Sequence, residues 1–571
     1  MVKLTINNKL VEVAEGATIL NAAKLANVNI PTLCYLKDIN EVGACRVCVV
    51  EVEGQDKLAA ACNTPVEEGM VVRTNTEKVR QARKTNVELI LSQHDCHCPT
   101  CVRSGNCALQ KLADDMNVVD LPYEKRVPKN NWNPDSPLIR TESKCIKCLR
   151  CVNVCEKVQS MNVWEFNGSG AHAKVGVRGG GKMQDMCVLC GQCITHCPVG
   201  ALRARDDTEK VFAALNDPKK TVVVQVAPAV RAAWGDGLGL TSEQASEKRM
   251  AAAIRALGVK YVFDTNFSAD LTIMEEGSEF IERMTHPGEH PMPLLTSCCP
   301  GWVRFLKLEY PELLDNLSTA KSPQQMFGAV VKSYFAKKIQ VQPDDIFCVS
   351  IMPCIAKKYE CGVEAVNAAA KQDVDVVLTT RELDRMLRAA HINVAALPEE
   401  DFDSPLGEGT GAAVIFGATG GVMEAALRSA YYLITGKNPE PDAFQEVRGL
   451  WGWREATFDI NGIQVRLAIA SGLANARNLC EAVKSGKAQY DFIEVMACPG
   501  GCAGGGGQPI CDGMELAGER GARLYELDKN NSIRFSHENA SVQKLYEEHL
   551  EKPLSHKAHE ILHTHQEDWS L

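Results

Sequence analysis

Twenty-five of the 571 residues are cysteine, and their spacing is where this sequence carries chemistry. Thiolates at Cys-x2-Cys spacing grip soft metals, so each tight group is a candidate zinc or iron–sulfur site. ESKCIKCLRCVNVCEKV supplies Cys145, Cys148, Cys151 and Cys155, and DMCVLCGQCITHCPVGAL supplies Cys187, Cys190, Cys193 and Cys197. Two runs of Cys-x2-Cys-x2-Cys-x3-Cys fit clusters that pass single electrons. Upstream, Cys34, Cys45, Cys48 and Cys62 form one group, and His94, Cys98, Cys101 and Cys107 form another, with Cys96 and His97 as competing ligands on spacing alone. A tetrahedral zinc is the rival occupant of both. Four clusters in succession make an electron wire, and a wire needs a terminus. Far downstream, TSCCPGW sets Cys298 beside Cys299. Neighbouring side chains diverge on almost any backbone, so these two cannot easily share a metal.

Strands and turns must hold these ligands. Short strands with Gly and Pro turns surround the first group, as in a small β-rich domain wrapped around a cluster. From about residue 210, β-branched runs alternate with helical patterns, which predicts a parallel sheet flanked by helices. The runs are TVVVQV, KYVFDT, PLLT, DIFCVSI, DVDVVLTT, AAVIFGA and YDFIEVM. Three of them lead directly into cysteines, in SCCPGW, MPCIAKKYE and ACPGGCAGGGGQP. Ligands in open α/β sheets collect beyond the carboxyl ends of strands, so these loops are expected to converge. Cys299, Cys354, Cys498 and Cys502 then form a 4Fe-4S set drawn from three separated loops. GATGGVMEAALRSA, residues 417 to 430, reads as close packing of helix on strand, with a nucleotide site as the alternative. In MEEGSEFIER, Glu276 and Glu279 fall on one helical face with Arg283 a turn further. For Glu279 alone a solvated face is the plain alternative.

The motifs carry specific resemblances. The paired runs resemble a bacterial two-cluster ferredoxin, in which the fourth cysteine crosses to the other cluster. That implies one 4Fe-4S cluster on Cys145, Cys148, Cys151 and Cys197 and another on Cys187, Cys190, Cys193 and Cys155. TSCCPGW, MPCIAKK and EVMACPGGC look like the three signature motifs of the FeFe-hydrogenases, and the cluster order resembles the long clostridial-type members over essentially the whole chain. The resemblance implies a multidomain α/β and α+β protein. A β-grasp ferredoxin-like domain over 1–78 carries a 2Fe-2S cluster on Cys34, Cys45, Cys48 and Cys62. A domain over 79–120 holds a 4Fe-4S cluster with one His and three Cys ligands, which selects His94. The two-cluster domain covers 121–209, a catalytic domain with mostly parallel sheets in two lobes covers 210–530, and 531–571 is similar to the separate small subunit of dimeric members. Besides one 2Fe-2S and three accessory 4Fe-4S clusters, it implies an H-cluster: a cubane on Cys299, Cys354, Cys498 and Cys502, the last bridging to a two-iron subsite with CO, cyanide and azadithiolate. The implied activity is the reversible reduction of protons to H2. By the same resemblance Cys298 is the first proton carrier, followed by Glu276, Ser318, Glu279, Arg283 and solvent. Lys357 donates to a cyanide ligand, and Met352, Pro353, Met496, Ala227 and Pro228 line the subsite.

The whole chain sets bounds on this reading. Its length fits roughly three to five domains. At 45% hydrophobic and 23% charged residues the composition is ordinary for a globular protein, and no apolar stretch is long enough to cross a bilayer. The opening MVKLTINNKLVEVAEG alternates like a strand and has no apolar signal core, so the expected compartment is the cytoplasm. There, so many cysteines read as metal ligands in place of disulfides. A net charge of −10 without a basic block argues against nucleic acid as a partner. The expected partners are ferredoxin or a similar redox protein, and maturation enzymes that build the two-iron subsite. An alternative places the chain in an electron-bifurcating complex with NADH-oxidising subunits. Readings of another class are a non-catalytic electron-transfer subunit, which would lack the C-terminal quartet, and an H2 sensor or Fe-S assembly protein, which tends to alter Cys298. Cys96, Cys348, Cys361, Cys480 and Cys511 have no argued role and read mostly as buried thiols.

Overall fold

Alternating apolar residues fold the N-terminus into strands. Leu4 and Ile6 of β1 (Val2–Ile6) point inward, and β1 pairs antiparallel with β2 (Lys9–Val13). With β3 (Val49–Val52), β4 (Ala59–Ala60) and β5 (Val71–Arg73) they form one sheet in the order β2-β1-β5-β3-β4, in which β1 and β5 run parallel. A helix over Glu77–Ser92, capped by the Thr76 hydroxyl, carries the chain to His94. The next region is mostly loops and short helices around two small antiparallel sheets. One pairs β6 (Leu138–Arg140) with β9 (Leu202–Ala204), and the other pairs β7 (Trp164–Asn167) with β8 (Lys174–Val177). The computed structural model describes residues 1–571 except 451, 512, 513, 567, 568, 570 and 571.

The large region uses β10 (Thr221–Val226), β11 (Tyr261–Asp264), β12 (Leu294–Leu295), β13 (Ile346–Met352), β14 (Val376–Thr379), β15 (Gly452–Ile460), β16 (Ile463–Ser471) and β17 (Phe492–Met496). Two four-stranded sheets result, ordered β11-β10-β13-β14 and β12-β17-β16-β15. The first is parallel throughout, and the second is parallel apart from the β15–β16 hairpin. Strands covered on both faces read as continuous apolar runs, and Val222, Val223, Val224 and Val226 are all buried. The 21-residue helix Thr265–Thr285 starts where β11 ends, capped by Asp264, and is buried on most of its circumference. It packs against the helices Pro323–Val330 and Gly421–Thr435.

Six of the seven expected runs are strands. The seventh, AAVIFGA, is helical over Gly411–Val414 and a 3-10 turn over Ile415–Gly417. A short apolar run without alternation does not distinguish buried strand from buried helix. The glycine-rich turn that follows packs as expected: the Gly420 and Met423 N–H groups each donate to the Glu494 carboxylate at 2.7 Å, so the helix start holds the chain's own anion. Of the unassigned cysteines, Cys348, Cys361 and Cys480 are buried, Cys96 is partly buried, and Cys511 is exposed. The C-terminal segment runs beside residues 319–321: Lys321 N–H donates to Leu562 O and Thr564 N–H to Thr319 O, both at 2.8 Å. Among the described residues, no helix is long and apolar enough to cross a membrane.

Candidate active site

Three strand ends build the site. Cys298 and Cys299 follow β12, Pro353 and Cys354 follow β13, and Cys498 and Cys502 follow β17. Burial pushes all four sulfurs of the expected quartet above the ordinary thiol range, Cys354 to about 12, and their mutual proximity adds to it. The glycines after Cys502 let the third loop lie flat on the second. A Cβ on Gly505 would stand 2.3 Å from Pro353 O, and one on Gly507 would stand 2.8 Å from the Pro353 carbonyl carbon. Cys299, Cys354 and Cys502 line a pocket of about 600 Å³ together with Cys298, Ala227, Pro228, Met352, Pro353, Lys357 and Met496. Each residue expected around the subsite is therefore present. Thr265, Gln324, Phe416 and Gly417 also line it and carried no sequence signal of their own.

Zinc does not fit these cysteines. Four thiolates about 2.3 Å from one zinc ion would stand about 3.8 Å from each other. Among the described residues, no three cysteine sulfurs lie within 4.8 Å of one another. Wider sets suit clusters that carry a metal at each corner. The cysteines of the two expected crossed sets line two separate cavities. Cys145, Cys148, Cys151 and Cys197 line one of about 410 Å³. Cys155, Cys187, Cys190 and Cys193 line the other, of about 330 Å³. In the N-terminal group, Cys34 interacts directly with Cys45, and Cys62 with Cys48. Two pairs suit two irons with two thiolates each. Cys98, Cys101 and Cys107 lie close enough to affect one another. Cys96 is also a neighbour of Cys98, its thiol facing the Leu91 and His94 carbonyls, and the exposed His97 ring pairs with Asp95. His94 is buried, its pKa is lowered to about 4 by that burial, and its Nδ1 has no partner, which leaves a neutral imidazole free to bind metal.

The cysteine groups adjoin one another in series. Asn40 Nδ2 donates to Cys34 O at 2.6 Å and to Cys148 O at 3.0 Å. Arg103 donates to Cys197 O at 2.8 Å, and a Cβ on Gly200 would stand 2.5 Å from Cys101 Sγ. Both upstream groups thus meet the Cys145 set. At the other end, Cys498 Sγ lies 3.6 Å from Cys190 O.

On the opposite side of the pocket, acids and hydroxyls lead away from Cys298. Burial holds the Cys298 thiol well above its ordinary pKa, and the nearby Glu276 carboxylate adds to this, so it stays protonated. Glu276 is fully buried and neither of its oxygens has a partner in bonding geometry. Burial and Glu279 push its pKa to about 8, with Ser297 and Ser318 offsetting only part of the rise. Ser318 Oγ donates to Glu279 Oε2 at 2.7 Å, and Arg283 donates to Glu279 Oε1 at 2.6 Å. Glu279 is buried at 6% exposure, which excludes the solvated-face alternative. Lys357 donates to Cys298 O at 3.1 Å and to Glu360 Oε2 at 2.8 Å. Burial alone would lower its pKa, but the Glu360 carboxylate outweighs this and raises it. Glu360 was not anticipated, although its i+3 spacing from Lys357 is a legible pairing signal.

The chain matches the iron only hydrogenase large subunit, C-terminal domain, over residues 220–506. It also matches a 2Fe-2S iron-sulfur cluster binding domain over 1–77, the NADH-ubiquinone oxidoreductase-G iron-sulfur binding region over 83–121, and a 4Fe-4S dicluster domain over 144–201. Residues 514–569 match the iron hydrogenase small subunit. The NADP-reducing hydrogenase subunit HndD of Solidesulfovibrio fructosivorans is similar at 46% identity, covering 99% of this chain and 98% of that protein. Iron hydrogenase 1 of Clostridium pasteurianum is similar at 39% identity, covering 99% of both. A solved FeFe-hydrogenase variant from Chlamydomonas reinhardtii aligns with TM-score 0.57 at 43% identity, covering 64% of this chain and 99% of that one. With the fold, the converging cysteine loops and these matches together, the chain belongs to the FeFe-hydrogenases.

Proposed function

We propose that this hydrogenase feeds electrons through one 2Fe-2S and three accessory 4Fe-4S clusters to an H-cluster seated among the three catalytic loops. When bound, the H-cluster supplies the redox metal centre for 2H+ + 2e− ⇌ H2. Cys299, Cys354, Cys498 and Cys502 would hold its cubane, with Cys502 also bridging to the two-iron subsite. Met352, Pro353, Met496, Ala227 and Pro228 shape the dry wall of the pocket. Lys357 has three N–H donors, of which two are used by Cys298 O and Glu360, so one is left for an anionic ligand such as cyanide.

Protons reach the pocket on Cys298 Sγ. Its raised pKa keeps the proton on sulfur between transfers, and Glu276, neutral at pH 7, can return one to it. The Ser318 hydroxyl links Glu276 to Glu279 by accepting one proton as it releases another. Arg283 sits at the end of this path, but a guanidinium does not release its proton in a protein, so its part is to orient Glu279. The observation that carries the reading is the pocket itself: three loops bring together a wide thiol set that suits a cluster and leave one thiol uncommitted beside a buried carboxyl.

Division into 1–78, 79–120, 121–209, 210–530 and 531–571, with a β-grasp topology for the first, accompanies this reading, and the last stretch lies partly outside the described residues. Unpaired cysteines throughout the chain support a reducing, cytoplasmic compartment. Maturation enzymes would load the two-iron subsite. Ferredoxin or a similar carrier is one electron partner. A subunit role in a complex with partners that exchange electrons with a pyridine nucleotide is favoured by 46% identity, over nearly the whole chain, to a protein described as an NADP-reducing hydrogenase subunit. The test is H2 evolution from reduced methyl viologen by anaerobically matured protein, with infrared bands of bound CO and cyanide. Matured protein that shows the bands but makes no H2, or that carries zinc in the catalytic loops, overturns the proposal. Purification of the native chain, with or without NADH-oxidising subunits attached, separates the two partner readings.

A further inference from the structure

A buried network from the C-terminal segment closes on the relay. Glu275 neighbours Glu276 on the Thr265–Thr285 helix but turns to the tail. Fully buried, it accepts from Tyr546 Oη at 2.5 Å, Leu554 N at 3.0 Å and His563 Nε2 at 3.0 Å. The second ring nitrogen, His563 Nδ1, lies 2.8 Å from Thr319 Oγ1. Facing the carboxylate, Nε2 carries a proton, and Nδ1 bonds the Thr319 hydroxyl, which can donate or accept. Thr319 in turn donates its N–H to Glu279 Oε2 at 3.2 Å, beside the Ser318 hydroxyl bond. Gln566 holds the same stretch by donating to Ser318 O at 3.1 Å.

We propose that His563 is a positioning residue for proton transfer: by bridging Glu275 and Thr319, it holds the Ser318–Thr319 stretch in bonding register with Glu279. The proposal rests on the relay reading of Glu276, Ser318 and Glu279. It makes the C-terminal segment part of the catalytic apparatus as well as a cover for it. The titratable and charged groups around this ring are Glu275, Glu279, Glu282 and Arg283 on the long helix, Lys321 on the paired stretch, and Tyr546 and His559 on the tail. The His559 ring centroid lies 4.2 Å from that of His563.

The test is viologen-driven H2 evolution by matured full-length protein at neutral pH. His563→Leu removes both hydrogen bonds, whereas the amide of His563→Gln can donate to Glu275 and accept from Thr319. His563→Leu is expected to lower kcat about tenfold, the equivalent of one lost hydrogen bond, with iron content and infrared bands unchanged. His563→Gln should stay within about twofold of the wild type. A His563→Leu variant with wild-type kcat overturns the proposal. So does a parallel loss of iron and activity in both variants, which assigns the ring to folding alone. Glu279→Gln is run alongside: if it keeps full turnover the relay reading fails and takes this proposal with it, whereas its inactivation next to an unaffected His563→Leu overturns this proposal only.

Discussion

Replacing Glu276 by glutamine should stabilise the protein and stop it working. The carboxyl is buried without a well-formed hydrogen bond, and its pKa stands at about 8 against an ordinary 4.5. In the folded protein it therefore keeps its proton across a range in which the unfolded chain has lost it. Stability consequently falls as pH rises from 4.5 to 8, by about 1.4 kcal/mol for each unit, and is fully retained only below 4.5. At pH 7 the deficit from this one side chain is about 3 kcal/mol. Glutamine has nearly the same shape and no titration, so Glu276→Gln should recover much of that amount near pH 7 and nothing near pH 4. The same change removes the carboxyl beside Cys298 that returns a proton to it, and turnover should fall at least about 100-fold, the lower range for loss of a general acid. The assay pairs unfolding midpoints of variant and wild type at several pH values with H2 evolution at constant iron content. Wild-type turnover in Glu276→Gln, or an unfolding difference that does not grow with pH, would refute the reasoning.

Other predictions follow from neighbouring contacts. Ser318→Ala deletes the hydroxyl 2.7 Å from Glu279, and kcat should drop about 100-fold with all iron retained, checked by turnover and iron analysis. Glu360→Gln removes the carboxylate that holds Lys357 charged against its burial. Lys357 should then lose its proton at lower pH, and the alkaline limb of the pH–rate profile should move to lower pH, read from kcat between about pH 7 and pH 10. Cys197→Ser should disturb the cluster cavity shared with Cys145, Cys148 and Cys151 and spare the one shared by Cys155, Cys187, Cys190 and Cys193. Electron paramagnetic resonance of the reduced variant distinguishes this from an uncrossed pairing.

The cysteine groups were legible because cluster geometry dictates short fixed spacings, which a single sequence displays. Convergence of Cys299, Cys354, Cys498 and Cys502 was legible for a different reason: the loops follow β-branched runs, and ligands gather beyond the carboxyl ends of such strands, here β13 of one sheet and β12 and β17 of the other. The helical AAVIFGA and the β15–β16 hairpin were not, because a short apolar run has no period to read and Trp453 to Ile460 carries several charges among its apolar residues. Glu275 and His563 were out of reach altogether. They stand 288 positions apart, and nothing local in MEEGSEF or ILHTHQ announces that one will bind the other. Resemblance supplied the roles of Lys357 and Ser318, and the structure adds the partners, Glu360 and Thr319, through which each is held.

The adjacent pair Cys298 and Cys299 offers the most direct measurement of the central claim, since it assigns one thiol to protons and its neighbour to iron. Matured Cys298→Ala and Cys299→Ala proteins should be compared for iron content, infrared bands and H2 evolution. Near-total loss of turnover with iron and bands intact in Cys298→Ala, and loss of both iron and turnover in Cys299→Ala, is the predicted result. Iron lost from both, or full turnover in Cys298→Ala, would contradict it.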